Sequence, residues 1–246
     1  MTEVELELTM PDGMCDAVLF SPEPSTGLPG VLHLPDIGSI RDANKGMARR
    51  LAAEGYAVLL VNPFYRTGRP PLWSFPRNFS EPRTQQRFQE LTAPLTPAAR
   101  AADANGYIDR LRERPEVKAG MVGIVGYCFT GAMALRGPSM RPDAVAAAAS
   151  FHGGNLYKKD DPASPYHLLP QIKARLYFGH ASNDGSMTAE QIAGLEQALV
   201  EWGGRYESET YAAAHGWTVP DNPAYNEAEA ERAFKKLTEL FAETLG

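Results

Sequence analysis

Short apolar runs alternate with segments of helical periodicity along most of this chain, and that alternation constrains its fold most strongly. The strand candidates lie at 30–34, 56–61, 121–125, 144–150, 175–180 and 205–211. The helix candidates lie at 41–54, 98–113, 188–202 and 226–244. Strands that alternate with helices in this way predict an α/β fold with a mainly parallel, doubly wound sheet and helices on both faces.

The N-terminal residues predict an antiparallel pair at the start of the sheet. Residues 2–9 and 15–20 lie on either side of Pro11-Asp12-Gly13, a sequence typical of a tight turn. With this hairpin we expect about eight strands. The stretch 62–97 holds seven prolines and several arginines and aromatics. We expect it to form an irregular flap over the active site, within a single domain of residues 1–246 and without a separate cap domain.

Composition argues against several classes of protein. The formal net charge is −6 and no long run of Lys and Arg occurs, which disfavours nucleic acid as the main partner. The sequence contains no stretch of about 18 apolar residues, so no membrane span is expected. The acidic N-terminus does not resemble a signal peptide, so the expected compartment is cytoplasmic. Cys15 and Cys128 are therefore expected to be free thiols, and two cysteines are too few for a cysteine-based metal site.

One of the strand candidates leads directly into a possible nucleophile. Gly126-Tyr127-Cys128-Phe129-Thr130-Gly131 follows the strand at 121–125 and precedes Ala132-Met133-Ala134-Leu135, which predicts the start of a packed helix. A reactive side chain between a strand and a helix, with small neighbours, is typical of a nucleophile elbow. Thr130 stands where the strict elbow has glycine, so we expect a slightly shifted turn. The alternative is that Cys128 is a small buried apolar residue, as we expect for Cys15.

Two further polar residues follow Cys128 in the order that α/β-hydrolases use, which is nucleophile, acid and histidine. Asp184 and His215 each come just after a predicted strand, at the sheet edge where parallel sheets carry their sites. His215 would accept the thiol proton and Asp184 would orient the imidazole. Asp184 could instead cap the helix near 188, and Asn183 competes for the acid's place. Backbone N–H groups of Phe129 and Ile37 are the candidate oxyanion donors.

At this point the chain resembles the dienelactone hydrolases (carboxymethylenebutenolidases), α/β-hydrolases, over nearly its whole length. The resemblance rests on 126–131, Asp184, 214–217, the run from 56 to 65, and 223–226. It implies hydrolysis of a small lactone or ester through a Cys-His-Asp triad, without a cofactor. It also implies that Asp36, in place of the usual Glu, is a resting partner of the thiol. The alternative for Asp36 is a simple turn residue.

The resemblance also implies an arginine that holds a substrate carboxylate, and here the sequence departs from the family. Trp217-Thr218-Val219, which follow His215 closely, include no arginine, so Arg83 or Arg87 from the 62–97 stretch is the best candidate. Trp217 would make that part of the pocket more apolar. His152 could line the pocket or be structural, whereas His33, His180 and His167 are expected to be structural or on the surface.

The sequence thus predicts a cysteine-dependent hydrolase of a small lactone or ester, acting through a thioester acyl-enzyme. The expected partner is a small-molecule substrate, with no nucleic acid, no membrane and no metal ion. A monomer and a homodimer both remain open. Two other hypotheses are a non-catalytic protein that binds a small ligand on the same scaffold, and a thiol redox sensor that uses Cys128.

Overall fold

One eight-stranded sheet runs through the protein. The computed structural model describes all residues from Met1 to Gly246. Its strands are β1 (Thr2–Met10), β2 (Gly13–Ser21), β3 (Gly30–Leu34), β4 (Ala57–Val61), β5 (Val122–Tyr127), β6 (Val145–Phe151), β7 (Arg175–Asn183) and β8 (Tyr206–Ala214). Their spatial order is β1-β2-β4-β3-β5-β6-β7-β8. The predicted α/β architecture is therefore confirmed.

The N-terminal hairpin forms the antiparallel part of the sheet, as predicted. Strand β1 pairs antiparallel with β2 over its whole length, and β2 pairs antiparallel with β4. All remaining neighbours are parallel. The central strands β3, β4 and β5 are buried at every residue, because helices cover both of their faces.

Six α-helices accompany the strands, five of them between strands in chain order and the sixth after the last strand. They are α1 (Asp42–Ala53), α2 (Pro82–Thr92), α3 (Pro97–Arg112), α4 (Arg136–Met140), α5 (Ala189–Trp202) and α6 (Glu227–Leu245). Residues of α3 and α5 pack in one apolar core, and residues of α1 and α6 pack in a second core on the opposite face. None of these helices has the length and apolar character that a membrane span requires.

The segment after the elbow is less regular than its sequence predicts. Two short 3₁₀ turns, Cys128–Gly131 and Met133–Leu135, precede the five-residue α4. Pro138 explains the break, because proline has no N–H to donate and its ring clashes with the carbonyl four residues earlier in a continuous helix. Gly137 lets this segment pack closely against β5, because a Cβ at this position would come within 2.1 Å of Ile124 Cδ1.

The 62–97 stretch is also not wholly irregular, since α2 lies inside it. Pro82 begins this helix at a position where its missing N–H costs nothing. The rest of the stretch contributes aromatic and proline side chains to the wall of a large cavity, together with Phe88 of α2. The expected flap is thus partly helical.

Candidate active site

Cys128 lies at the carboxyl end of β5, in a backbone conformation that non-glycine residues rarely adopt. Its φ is 58°, in the left-handed region. The turn is possible because its glycines allow close approach of other chain segments. A Cβ on Gly126 would lie 2.4 Å from the carbonyl oxygen of Thr130, and one on Gly131 would lie 2.7 Å from Gly153 Cα. The turn therefore presents the thiol at the sheet edge, as the predicted elbow would.

The imidazole of His215 lies between the thiol and a carboxylate. His215 Nε2 is 3.1 Å from Cys128 Sγ, and His215 Nδ1 is 2.6 Å from Asp184 Oδ2. Cys128 follows β5, Asp184 follows β7 and His215 follows β8, so the carboxyl ends of parallel strands bring the three side chains together. Such a chain can move a proton from the thiol to the imidazole.

The second oxygen of the Asp184 carboxylate is also held in place. Asp184 Oδ1 accepts hydrogen bonds from the Ser186 N–H at 2.8 Å and from the Ser186 hydroxyl at 2.7 Å. Burial alone would raise the pKa of Asp184, but the contacts with His215 and Ser186 lower its pKa below the ordinary value. The carboxylate is thus ionised and oriented toward the imidazole. Asn183, the competing candidate, is part of β7.

The electrostatics of His215 follow from its two partners. Burial opposes the charged imidazolium, but hydrogen bonds to Asp184 and Cys128 outweigh it and raise the pKa of His215 to about 10. The neighbouring His152 behaves in the opposite way, because burial and the charge of His215 hold its pKa well below the ordinary value. One imidazole of the site therefore favours the protonated form and the other stays neutral.

The turn after β3 also lines the cavity that holds the thiol. The Ile37 N–H forms no hydrogen bond within the protein, and Ile37 O accepts one from Trp73 Nε1 at 2.9 Å. No side chain accepts from the Phe129 N–H, which lies in the first turn of the 3₁₀ segment. The two backbone donors named from the sequence thus both belong to residues that line the cavity with Cys128.

Asp36 does not contact the thiol, which corrects the expectation for this residue. Its carboxylate forms a bidentate ion pair with Arg41, with distances of 2.5 and 3.0 Å, and accepts a hydrogen bond from Asn44 Nδ2 at 2.9 Å. The side chain is only 5% exposed. A nearby guanidinium holds the short aspartate, so the resting thiol pairs with His215 instead.

Neither of the two arginines predicted for the pocket reaches it. Arg83 is 59% exposed, pairs with Glu81 and lies over the ring of Phe75. Arg87 donates to the carbonyl of Leu72 and pairs with Glu90. Both side chains are occupied by partners on their own segment, because α2 turns them away from the cavity.

Of the two other pocket candidates, one lines the cavity and one does not. His152 is buried beside His215, with a distance of 5.2 Å between the two ring centroids. Thr218 Oγ1 lies 2.7 Å from His152 Nε2. Trp217 is fully buried and stacks on Tyr211 at 4.8 Å, beneath the site. The prediction that Trp217 forms a pocket wall is therefore wrong, whereas His152 is placed as a lining residue.

The remaining cysteine and histidines are structural, as expected. Cys15 is fully buried, contacts the carbonyl of Asn62, and burial raises its pKa to about 12. Both cysteines are free thiols. His33 and His180 are buried in strands, and burial lowers the pKa of each to about 4.

The cavity above Cys128 has a volume of about 1370 Å³ and mixes aromatic with charged groups. Its cationic side chains are Arg41, Arg77, Arg100, Arg136 and Lys158. The sequence analysis did not single out Arg100 or Arg136, because α3 and α4 bring them to the site from positions that no motif marks. No group of three or more His, Cys, Asp or Glu side chains converges in a way that could hold a metal ion.

The strand order, the strand-to-helix turn at Cys128 and the adjoining His and Asp define an α/β-hydrolase. Residues 15–245 match the model of the dienelactone hydrolase family. The chain belongs to this family and is a carboxylic ester hydrolase, which confirms the resemblance found in the sequence.

Individual relatives agree with this assignment. A Synechocystis sp. protein assigned to the carboxymethylenebutenolidases is 26% identical over 216 residues, covering 87% of this chain and 85% of the relative. A Bradyrhizobium sp. protein assigned as a 2-oxo-3-(5-oxofuran-2-ylidene)propanoate lactonase is 24% identical over 89% of this chain and 85% of its own length.

Solved structures show the same fold. A Klebsiella pneumoniae structure assigned as a dienelactone hydrolase superimposes with a TM-score of 0.84 at 20% identity, covering 99% of this chain and 100% of that one. A dienelactone hydrolase-like promiscuous phosphotriesterase from metagenomic libraries gives a TM-score of 0.80 at 23% identity, covering 100% of this chain and 99% of that one.

Proposed function

We propose that this protein hydrolyses a small lactone or ester with Cys128 as nucleophile, His215 as proton carrier and Asp184 as the acid that orients it. The observation that carries the proposal is the continuous chain from Sγ through the imidazole to a carboxylate, with contacts of 3.1 and 2.6 Å. The names of the two relatives, a butenolidase and a lactonase, support a cyclic ester as substrate.

The first half of the reaction forms a thioester. His215 Nε2 holds the proton taken from the thiol, and the thiolate Sγ attacks the carbonyl carbon of the substrate. The N–H groups of Ile37 and Phe129 hold the oxyanion that develops on the carbonyl oxygen. The imidazolium then protonates the leaving alkoxide as the C–O bond breaks, which in a lactone opens the ring and leaves the alcohol on the same molecule. Asp184 keeps the imidazole in the required tautomer throughout.

The second half needs His215 as a base, and the acyl-enzyme provides the condition for it. Part of the raised pKa of His215 comes from Cys128, whose charge disappears once the sulfur is acylated. The imidazole can then accept a proton from water, and the resulting hydroxide attacks the thioester carbonyl. The thiolate leaves, the carboxylic acid is released and the Cys128–His215 pair is restored.

Replacing the thiol tests this proposal directly. In Cys128→Ala we expect kcat/KM for 4-nitrophenyl acetate and for small lactones to fall at least about 10³-fold, because no covalent intermediate can form. Mass spectrometry of the rapidly quenched wild type should show an acyl adduct on Cys128. Cys15→Ala is the matched control and should retain turnover. A Cys128→Ala enzyme that keeps most of its activity would remove the thiol from the mechanism.

A further inference from the structure

A second cavity lies between α1 and α6, on the face of the sheet opposite the core that contains α3 and α5. Its volume is about 430 Å³, which is within the range of cavities that bind small molecules, and most of its lining residues are apolar. Asp221 is the single residue that lines both this cavity and the cavity above Cys128. The second cavity is therefore a separate space that the proposed mechanism does not use.

Aromatic rings line this cavity where two central strands end. Tyr127 is the last residue of β5 and Phe151 is the last residue of β6, and their rings stack with centroids 5.7 Å apart and planes 18° from parallel. Phe234 of α6 adds a third ring to the wall. Aromatic rings prefer offset stacking and edge-to-face contacts with other rings, so this wall favours an aromatic occupant.

The hydroxyl of Tyr127 is a buried polar group of the wall that has no partner. Tyr127 is only 5% exposed, and its hydroxyl forms no hydrogen bond with another group of the protein. Burial raises the pKa of Tyr127, and the charge of Arg50, another residue of the cavity wall, opposes this effect only in part. The hydroxyl therefore stays protonated. An acceptor that enters the cavity would satisfy a donor whose burial is otherwise costly.

The charged side chains of the wall already have counter-charges or water. Arg50 of α1 forms a bidentate ion pair with Glu231 of α6, with distances of 2.5 and 2.6 Å. Asp221 is bound to Arg41, and Asp42 is exposed to water. No charge in the wall requires an ion from solvent, so a neutral occupant fits this cavity best.

We propose that the cavity between α1 and α6 is a second binding site, which takes a small neutral aromatic molecule with one hydroxyl or carbonyl oxygen. The aromatic body packs against Tyr127, Phe151 and Phe234, and the oxygen accepts a hydrogen bond from the Tyr127 hydroxyl. Binding there involves no covalent step and does not depend on the hydrolase mechanism. A molecule in this site leaves the cavity above Cys128 free for an ester or lactone.

Gly46 allows the second cavity to be filled by mutation. It lies within α1 and lines the cavity, and a Cβ at this position meets no atom within 4 Å. In Gly46→Leu the new side chain enters open space, and helix formation is favoured because leucine has a higher helix propensity than glycine. Gly46→Ala is the matched control, since it also favours the helix but leaves most of the cavity open.

Fluorescence titration with 2-naphthol measures binding to this site. We expect saturable binding to the wild type and to Gly46→Ala, and an affinity at least about tenfold weaker in Gly46→Leu, because the added side chain overpacks the occupied cavity. Equal affinity in Gly46→Leu would show that the probe binds elsewhere and would overturn the proposal. Absence of saturable binding to the wild type would overturn it as well.

The hydrogen bond from Tyr127 is tested with a second probe, naphthalene, which lacks the oxygen. We expect 2-naphthol to bind the wild type about threefold to tenfold more tightly than naphthalene, and this ratio to fall by the same factor in Tyr127→Phe. Tyr225→Phe is the matched control, because Tyr225 lines the same cavity but is 37% exposed, and it should keep the wild-type ratio. An unchanged ratio in Tyr127→Phe would contradict the proposed site.

A second copy of the chain is the other occupant that an apolar opening can have. In analytical ultracentrifugation the wild type and Gly46→Leu should sediment alike. A wild-type dimer that dissociates in Gly46→Leu would assign the opening to an interface between copies and would overturn the small-molecule site. Thermal unfolding of each variant verifies that the comparisons are made on folded protein.

Discussion

At the scale of single residues, Thr130 shows how a departure from a motif can be compensated. In the sequence it stands where the strict elbow has glycine, and a slightly shifted turn was the expected result. In the structure its hydroxyl donates to the carbonyl of Leu34 at 2.8 Å, lies 3.0 Å from the carbonyl of Tyr127, and accepts from the Tyr127 N–H at 3.1 Å. The hydroxyl thus ties the end of β5 to the end of β3, which leads to the turn that carries Ile37.

Removing that hydroxyl should weaken both the fold and the site. Thr130→Val keeps the shape of the side chain but leaves buried backbone groups without partners, so we expect a loss of about 1–3 kcal/mol in the free energy of unfolding. We also expect kcat/KM for esters to fall, because the spacing between Ile37 and Phe129 relaxes. Thr130→Ser is the control that keeps the hydroxyl. Equal stability of the Val and Ser variants in urea unfolding would contradict this role.

The titration of His215 gives a second test at this scale. In Cys128→Ala the pKa of His215 should fall below about 10, because one of the partners that raise it is removed. NMR titration of the imidazole signals measures the pKa, and the signal absent from His215→Gln identifies the residue. A His215 pKa that is the same in wild type and Cys128→Ala would show that the thiol does not interact with the ring.

The raised pKa of His215 also determines how the free energy of unfolding changes with pH. A folded pKa of about 10 lies above the value of about 6.5 expected for an unfolded histidine. The contribution of His215 to stability is therefore fully present below pH of about 6.5 and is lost as the pH rises toward 10. His215→Gln should remove that part of the pH dependence in urea unfolding, whereas His167→Gln should not.

At the scale of elements, Arg41 joins the turn after β3 to the loop after β8. It precedes α1 and pairs with Asp36 on one side and with Asp221, six residues after His215, on the other. The loop that carries His215 is thereby connected to the turn that carries Ile37. The sequence marked Asp36 for a role at the thiol, but the structure gives it a role in holding these loops together.

Breaking this connection should cost more than breaking an ordinary surface pair. In Arg41→Gln the carboxylate of Asp36, which is 5% exposed, loses its cation. We expect a loss of about 2–3 kcal/mol in the free energy of unfolding. Arg49→Gln is the matched control, since Arg49 and Glu3 are 48% and 32% exposed and such pairs contribute about 0–1 kcal/mol. A loss no larger than that of the control would contradict the role of Arg41.

At the scale of the whole molecule, the two cysteines differ in whether their thiols are accessible in the folded protein. Cys128 lines the cavity, whereas Cys15 lies in β2, is fully buried and contacts the carbonyl of Asn62. Burial raises the pKa of Cys15 to about 12, so little thiolate is present at neutral pH. The protein therefore has one accessible thiol while it is folded and two once the sheet opens.

Alkylation should follow this division. Native protein treated with iodoacetamide should gain one label, on Cys128, and the second label should appear only as urea unfolds the protein. Mass spectrometry after timed quenching gives both rates, and Cys128→Ala isolates the reaction of Cys15. Labelling of Cys15 in native protein at the rate of Cys128 would show that the N-terminal hairpin opens independently of the rest of the sheet.

The sequence by itself determined the sheet, most of its elements and the nucleophile, acid and histidine candidates. Those features depend on local information: apolar periodicity, turn residues and the position of a polar residue just after a strand. The predicted helices at 41–54 and 188–202 agree with α1 and α5 to within one residue at each end. The break in the helix after the elbow, caused by Pro138, also depends on local sequence. We predicted the start of a packed helix there because of the apolar run Ala132-Met133-Ala134-Leu135 before the proline.

The tertiary structure alone decided which charged groups meet. Asp36 binds Arg41 rather than the thiol, Arg83 and Arg87 turn to partners on their own segment, and Arg100 and Arg136 come to the cavity instead. Arginine side chains are long and can reach partners in many directions, so their sequence position does not reveal their contacts. Which cation faces the substrate therefore depends on how helices from distant parts of the chain pack against the sheet.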